Sequence, residues 1–338
     1  MGYFCQMKKL ILFFLILFTF TTNHLQAQKI VALDSNGHIS LRGLSVVNDK
    51  VIWASGSDGS IAISTNGGKS FTWKTVKGFE KTDFRDIEAF DKKTAVIMGV
   101  GSPAYILRTD DAGNTWKKVY ENNDTSMFLD AMEFWNDMSG IVIGDPIEGK
   151  FFIGRTFDGG KTWQTIPQKN EPVAVDGEAC FAASGTNIRK LTRDEAVFVS
   201  GGIQSNFFKR NQKFRLPILQ GSSTTGANSI AIHKNIMIVV GGDFTKPAGT
   251  TGNCAISEDG GITWKSPTTP PFGYRSCVEY IGGNKWITCG INGVDISDDN
   301  GSNWRNISNH SFNTVIKSKK GKDIFLVGSR GRIARLEQ

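Results

Sequence analysis

The chain has 338 residues, a formal net charge of +7, 38 glycines and 23 phenylalanines. This mild basic excess contains no clustered run of Lys and Arg interleaved with aromatic residues, which argues against a nucleic-acid-binding protein. The four histidines and five cysteines show no spacing typical of a zinc site, and neither a metal nor a cofactor is expected.

The N-terminus has the pattern of an export signal. Lys8 and Lys9 precede an apolar run over residues 10–18, and a small-residue cleavage site ends at Ala27. The run is too short to span a membrane comfortably. We therefore expect residues 1–27 to be a signal peptide. The mature protein would be a secreted or periplasmic monomer without a transmembrane segment.

One pattern, Ser/Thr-x-Asp/Asn-x-Gly-x-x-Trp/Phe, recurs five times along the chain. Its copies begin at positions 64, 109, 156, 257 and 297, and their third residues are Asn66, Asp111, Asp158, Asp259 and Asp299. The short polar side chain folds back on backbone N–H groups, the Gly adopts positive φ, and the aromatic residue starts the next strand. A catalytic or calcium-binding residue has no reason to recur at every turn. We therefore interpret these residues as structural braces of β-hairpins.

The spacing of the copies predicts the architecture. The steps between them are 45, 47, 101 and 40 residues, and the step of 101 spans two periods, with a degenerate copy near residues 204–212. A period of about 40–50 residues with four strands per unit is typical of a β-propeller. Blades are expected at about residues 41–76, 84–120, 129–166, 180–218, 229–267 and 275–307, with a seventh starting at Phe312.

The seventh blade ends one strand short. Residues 29–33 precede the first blade without a hairpin of their own, and an open ring would expose two unpaired edges. We expect this segment to supply the outer strand of blade seven. The sequence thus predicts an all-β, seven-bladed β-propeller of four-stranded antiparallel blades over residues 28–338, with six or eight blades as the alternative.

The phase of the repeat indicates where a ligand would bind. In a propeller, first strands begin and second strands end on the face opposite the repeated turns, and loops there form the default binding surface. The charged residues at these positions are Arg42, Arg85, Asp145, Glu178, Asp243 and Arg275. They would suit an anionic or sugar ligand. The alternative is that they neutralise one another as salt bridges around a solvated channel.

Four cysteines follow the predicted cleavage site. They are Cys180, Cys254, Cys277 and Cys289, and the last two fall on consecutive predicted strands, which could place them opposite each other. An exported protein can form disulfides, but directly paired cross-strand bridges are geometrically awkward. A disulfide and buried free thiols both remain open.

The recurrent pattern resembles the Asp-box, or BNR repeat, of sialidases, sortilin-like receptors and the photosystem II stability/assembly factor family. Segments 41–47, 144–146, 177–186, 241–247 and 273–276 are similar to secreted bacterial relatives of that last family. The resemblance covers essentially the whole mature chain. It implies a seven-bladed, non-catalytic binding or assembly module whose partner is a protein or glycan of the envelope or extracellular space.

The alternative function is a sialidase-like glycoside hydrolase. Residues 214–217, Phe-Arg-Leu-Pro, resemble the sialidase Phe-Arg-Ile-Pro segment, but they follow the third repeated turn instead of preceding the first. Such an enzyme uses a Tyr nucleophile with a carboxylate partner, and Tyr274, beside Arg275, is the tyrosine nearest the predicted site. No nucleophile is needed for binding, and we favour the binding module.

Overall fold

The computed structural model describes residues 28–210 and 212–337, so the predicted signal peptide lies outside the described residues. The described residues form seven antiparallel sheets. In chain order, the strands are β1 (Lys29–Asp34), β2 (Leu41–Val46), β3 (Ile52–Gly56), β4 (Ser60–Ser64), β5 (Thr72–Thr75), β6 (Asp83–Ala89), β7 (Ala95–Val100), β8 (Ala104–Thr109), β9 (Lys117–Asn122), β10 (Leu129–Phe134), β11 (Gly140–Ile147), β12 (Lys150–Thr156), β13 (Gln164–Thr165), β14 (Glu178–Ala179), β15 (Ile188–Lys190), β16 (Ala196–Val199), β17 (Gly201–Gly202), β18 (Asn206–Lys209), β19 (Gln212–Arg215), β20 (Thr225–His233), β21 (Ile236–Asp243), β22 (Cys254–Ser257), β23 (Cys277–Gly282), β24 (Lys285–Gly290), β25 (Gly293–Ser297), β26 (Arg305–Ser308), β27 (Thr314–Lys317), β28 (Ile324–Val327) and β29 (Ile333–Glu337).

Each sheet is one blade of a propeller. Blades 1–3 are β2–β5, β6–β9 and β10–β13, blade 4 is β15, β16, β18 and β19, and blade 6 is β23–β26. In blade 5, β20–β22 are followed by a single bridge from Ile256 to Lys265 in place of a fourth strand. The innermost strands β2, β6, β10, β15, β20, β23 and β27 contact one another in a closed ring. The predicted seven-bladed fold is confirmed, and the alternatives of six or eight blades are wrong.

The ring closes as the sequence predicted. Strand β1 pairs antiparallel with β29, with Lys29 opposite Glu337 and Ile30 opposite Leu336, so the N-terminal strand becomes the outer strand of blade 7. Leu33 of β1 also packs against the first repeated turn, since a Cβ atom on Gly68 would lie 2.7 Å from its Cδ1 atom. The N-terminal strand therefore completes the four strands of blade 7 and joins the last blade to the first.

The core lies between adjacent blades. Trp53 and Ile61 of blade 1, for example, share one buried cluster with Phe84 and Ile97 of blade 2. In the described part of the chain, the only helices are two 3₁₀ turns, Gln168–Asn170 and Ser329–Gly331, and no helix there could cross a membrane.

The repeated turns are held by their third residue. In the copy at position 156, Asp158 Oδ1 accepts hydrogen bonds from Thr156 Oγ1 at 2.9 Å and from the Thr162 N–H at 3.0 Å, and its Oδ2 accepts from Thr162 Oγ1 at 2.6 Å. Gly160 has φ of +78°, and a Cβ atom there would lie 2.8 Å from Val96 of the preceding blade. The turn thus braces its own hairpin and packs on the neighbouring blade.

Replacement of Asp158 tests this brace. We expect Asp158→Ala to lower the free energy of unfolding by about 1–2 kcal/mol, because several hydrogen bonds around one carboxylate are lost together. Asp158→Asn is expected to cost less, because Asn66 fills the same position naturally and accepts hydrogen bonds from Ser64 and Ser70. Urea denaturation of both variants measures this difference. Equal losses for Ala and Asn would contradict a brace based on hydrogen bonding.

The start of blade 4 differs from the expectation. Its innermost strand begins at Ile188, not at Cys180, while Glu178–Ala179 pairs with Gly201–Gly202 on the edge of the blade 5 sheet. Residues 180–187 belong to no strand, and we call them the channel segment.

The degenerate repeat is present where it was expected, because β18 and β19 form a hairpin there in which Lys209 pairs with Gln212.

All four cysteines of the described chain are buried free thiols. Cys277 and Cys289 lie directly opposite each other in β23 and β24, as predicted from their spacing. Of the two possibilities that the sequence left open, the structure has the free-thiol form.

Candidate functional site

The channel segment crosses the centre of the propeller. Ser184 Oγ donates a hydrogen bond to the backbone carbonyl of Ser276 in blade 6 at 2.7 Å, and Thr186 Oγ1 donates to Ser229 Oγ in blade 5 at 2.6 Å. Both channel-segment side chains are almost completely buried. The segment therefore forms a floor between the two ends of the central channel.

Two of the predicted site residues hold this floor from the side where the innermost strands begin. Arg42 Nη1 donates to the carbonyl of Ala183 at 3.0 Å, and Arg85 Nη1 donates to that of Ala182 at 3.4 Å. Arg85 also forms an ion pair with Asp83 at 2.8 Å. Two guanidinium groups from adjacent blades thus converge above one backbone segment.

These arginines border a cavity of about 290 Å³ that we call the upper pocket. The upper pocket is lined by Arg42, Arg85, Phe181, Ala182, Ala183, Asn228, Phe244, Tyr274, Ser276, Ile291 and Asn313. Within the described residues, Arg42 has no carboxylate within ion-pair distance. Burial and then the charge of Arg85 lower the pKa of the Arg42 guanidinium. Asp83 pairs with Arg85 and acts on Arg42 only from beyond ion-pair distance. The two arginines and this one acid leave a net positive charge beside aromatic surface, which suits an anionic group.

Tyr274 lies in the wall of the upper pocket but is almost wholly buried. Its hydroxyl donates a hydrogen bond to Asn228 Oδ1 at 2.8 Å, and burial raises the pKa of this phenol. A tyrosine nucleophile needs a carboxylate partner to take its proton. Here the partner is an amide, so this arrangement does not supply the activated nucleophile of the sialidase-like alternative.

Arg275, at the equivalent position of blade 6, does not line the upper pocket. Its side chain is completely buried, and Nη2 lies 2.6 Å from Asp295 Oδ2 in an ion pair that is equally buried. Nη1 donates to Asn292 Oδ1 at 2.6 Å. Arg275 therefore pairs with an acid outside the predicted set, inside blade 6 and away from any solvated channel.

Glu178 is also directed inward. Its carboxylate accepts hydrogen bonds from Ser200 Oγ and Asn206 Nδ2 and pairs with Lys213 Nζ at 2.7 Å. The side chain of Glu178 has no exposed surface. It ties the channel segment's N-terminal end to blade 4.

The two aspartates that end second strands are separate from the upper pocket. Asp145 Oδ1 accepts a hydrogen bond from the Cys180 N–H at 2.9 Å, and burial raises its pKa to about 6. Asp243 Oδ1 accepts from Thr245 Oγ1 at 2.7 Å and from the Thr245 N–H at 3.0 Å, which lowers its pKa. The structure thus brings Arg42 and Arg85 together and directs the other four predicted residues to different contacts.

The sequence interpretation missed the channel segment and the aromatic wall of the upper pocket. A signal for the segment exists, because 30 residues lie between the end of β13 and the start of β16, whereas 17 lie between the end of β9 and the start of β11. Phe181 and Phe244 carry no comparable signal, since a single aromatic residue next to a predicted strand indicates core packing equally well.

Fold and pocket together define a seven-bladed β-propeller whose central channel is closed by an internal segment beneath a basic, aromatic pocket. Similar solved structures include YCF48 bound to D1 peptide, with a TM-score of 0.63, 17% identity and coverage of 92% of this chain and 95% of that chain. YCF48 from Cyanidioschyzon merolae has a TM-score of 0.62, 15% identity and coverage of 92% and 99%. The WD40 propeller domain of Doa1 has a TM-score of 0.62, 11% identity and coverage of 91% and 97%.

At these identities, the likeness concerns the fold alone. It supports the resemblance to the photosystem II stability/assembly factor family at the level of architecture. No family model and no curated protein sequence matches the chain.

Proposed function

We propose that this protein is a non-catalytic binding module that captures an acidic, partly apolar segment of a partner protein at the upper pocket. The observation that carries the proposal is Arg42, a largely buried guanidinium without a carboxylate partner in the described chain, next to a second arginine. A carboxylate from a partner would provide the missing counter-charge and accept two parallel hydrogen bonds.

The surface beside the arginines supports a protein partner. Phe244 and Ile291 line the upper pocket and remain 40% and 44% exposed, and Phe272 on the same side of blade 6 is 49% exposed. Exposed apolar side chains grouped around a polar anchor are typical of protein-binding sites. A partner segment with an acidic residue next to aromatic or aliphatic residues would pair with the arginines and pack on the exposed apolar side chains.

The comparisons add support of a general kind. One similar structure, YCF48, is bound to D1 peptide, and WD40 propellers share the fold. Because propellers host many unrelated functions, the upper pocket remains the main argument. Export also belongs to the proposal, and the pattern of residues 1–27 supports it. N-terminal sequencing of the protein recovered from the cell envelope or medium would test cleavage after Ala27.

A peptide-binding experiment tests the proposal. Residues 28–338 would be screened against an array of short peptides that combine Asp or Glu with Phe, Leu or Ile, with matched peptides carrying Lys in place of the acids. We expect selective binding of the acidic peptides. Arg42→Gln should weaken it by about tenfold or more, since a charge-assisted hydrogen bond contributes about 1.5–3 kcal/mol.

Arg335→Gln provides the matched control, because Arg335 pairs with Glu337 on β29, the third strand of blade 7, away from the upper pocket. Melting temperatures would establish that both variants are folded. The proposal is wrong if no acidic peptide binds, or if Arg42→Gln and Arg85→Gln bind as tightly as the unmodified protein. Binding to neutral glycans at this pocket in place of peptides would also overturn it.

A further inference from the structure

A second cavity lies on the other side of the channel segment. It has a volume of about 410 Å³, within the range of about 300–1,000 Å³ typical of small-molecule sites. Residues Ser184, Gly185 and Thr186 of the channel segment form part of its floor, and all seven innermost strands contribute to its wall. We call this cavity the lower chamber. It is separate from the upper pocket and plays no part in the function proposed above.

The wall of the lower chamber contains a ring of paired charges. Its inner charged residues are Glu88, Glu133, Glu279, Arg189, Lys190 and Lys319, three acids and three bases. One further lysine, Lys317, and two further acids, Asp86 and Asp137, also line the chamber. Asp86 lies at the floor, and burial raises its pKa to about 8, so it is mostly uncharged at neutral pH. Burial likewise raises the pKa of Glu133 and brings that of Glu279 to about 7, so near neutral pH these carboxyls also present donor O–H groups. The chamber therefore offers many hydrogen-bonding groups, both donors and acceptors, with acids and bases in nearly equal number.

Several of these pairs are too long to be full hydrogen bonds. Arg189 lies 3.5 Å from Glu133 and 3.7 Å from Glu279, and Lys190 lies 3.6 Å from Glu133. Optimal charge-assisted N–H···O contacts are about 2.7–2.9 Å. The carboxylates of Glu133 and Glu279 therefore retain acceptor capacity towards the chamber, where both side chains are partly exposed.

The balance of charge identifies the class of ligand. An anion would face the three glutamates, and a cation would face the arginine and the two lysines, so each would meet like charges at short range. A hydroxyl group can donate to a carboxylate and accept from an ammonium or guanidinium group at once. A neutral, hydroxyl-rich molecule fits the alternating wall best, and the apolar side chains of Ile232 and Ile316 offer surface for its C–H groups.

We propose that the lower chamber is a binding site for a neutral sugar, held by hydrogen bonds to Glu133, Glu279 and their basic partners. The sugar could enter as a free monosaccharide or as a unit of a glycan chain, because the recognised chemistry is the same in both.

Binding of matched sugars tests this site. Isothermal titration calorimetry on residues 28–338 would compare glucose, galactose, mannose and N-acetylglucosamine with the cationic glucosamine and the anionic glucuronate. We expect at least one neutral sugar to bind, with the two charged sugars about tenfold weaker or worse. Glu133→Gln and Glu279→Gln should each weaken this binding by about tenfold, because the amide has a single acceptor oxygen where the carboxyl group has two, and a sugar hydroxyl loses its partner.

Glu258→Gln is the matched control, since Glu258 pairs with Lys265 on the exposed surface and should leave sugar affinity unchanged. Thermal melts would show that each variant is folded. The proposal fails if no neutral sugar binds, if glucosamine or glucuronate binds more tightly than the neutral sugars, or if both glutamine variants keep full affinity. Tighter binding of a tetrasaccharide than of its monosaccharide would identify a glycan chain as the source, and equal affinity a free sugar.

Discussion

Replacement of Arg275 by methionine is expected to lower the free energy of unfolding by about 3–5 kcal/mol. The substitution leaves Asp295, whose side chain has no exposed surface, without the guanidinium that lies 2.6 Å away. An unpaired charge in the protein interior is costly, and loss of one partner of a buried ion pair has an effect of this size. Asp295 would retain hydrogen bonds from the Phe272 N–H and Asn306 Nδ2, which moderate the loss.

Urea denaturation measures this effect, and Arg85→Met is the matched control. Arg85 forms a partly exposed pair with Asp83, so its replacement should cost less than about 1 kcal/mol. The double variant Arg275→Met/Asp295→Leu is expected to recover part of the lost stability, because it removes both buried charges. If Arg275→Met is as stable as Arg85→Met and instead loses peptide binding, Arg275 belongs to a ligand site and not to the core.

The fold could be predicted because its information is local and repeated. Each copy of the turn specifies a hairpin through its own residues, and the spacing of the copies fixes the period. Even the closing strand was predictable, since residues 29–33 had no partner near them in sequence and blade 7 lacked a strand. Blade 4 has no complete copy of the repeated turn, so the sequence held less information there. Its first strand was therefore predicted to start at Cys180, eight residues before its observed start at Ile188.

The candidate site could be predicted only in part, for a physical reason. The position of each residue within its repeat placed Arg42, Arg85 and Arg275 at equivalent points on one face of the propeller. That position does not determine which groups each side chain contacts. Arg275 meets Asp295 from its own blade and is buried, whereas Arg42 meets a backbone carbonyl of the channel segment. Such contacts depend on tertiary neighbours that are distant in sequence, and the channel segment itself has no repeat to reveal it.

Stability is expected to fall as pH rises from about 4 to about 8. Burial raises the pKa of Asp86 to about 8 and that of Glu279 to about 7, while both groups titrate near 4 in the unfolded chain. Between these values, the folded protein retains protons that the unfolded chain has released, and the free energy of unfolding decreases with pH. Each retained proton contributes a slope of up to about 1.4 kcal/mol per pH unit.

At lower pH, the carboxylates of the repeated turns have the opposite effect, and the free energy of unfolding increases as pH rises. Hydrogen bonds from Thr115, led by its backbone N–H, lower the pKa of Asp111 to about 2, so its contribution is present above about pH 4 and is lost as pH falls towards 2. The two effects together place the maximum of stability near pH 4–5. Urea denaturation at intervals from pH 3 to pH 9 would locate this maximum.

Asp86→Asn assigns the alkaline slope to one group. Asp86 accepts hydrogen bonds from the Met132 and Ile87 N–H groups inside the propeller. Burial disfavours the charged carboxylate that forms as pH rises, whereas an Asn side chain stays neutral at every pH. We expect the variant to gain stability relative to the unmodified protein between pH 6 and pH 8, whatever its stability at pH 5. Asp176→Asn, a change on the exposed surface, should leave the slope unchanged. A free energy of unfolding that stays constant or increases from pH 5 to pH 8 would show that these buried carboxyls are ionised in the folded protein.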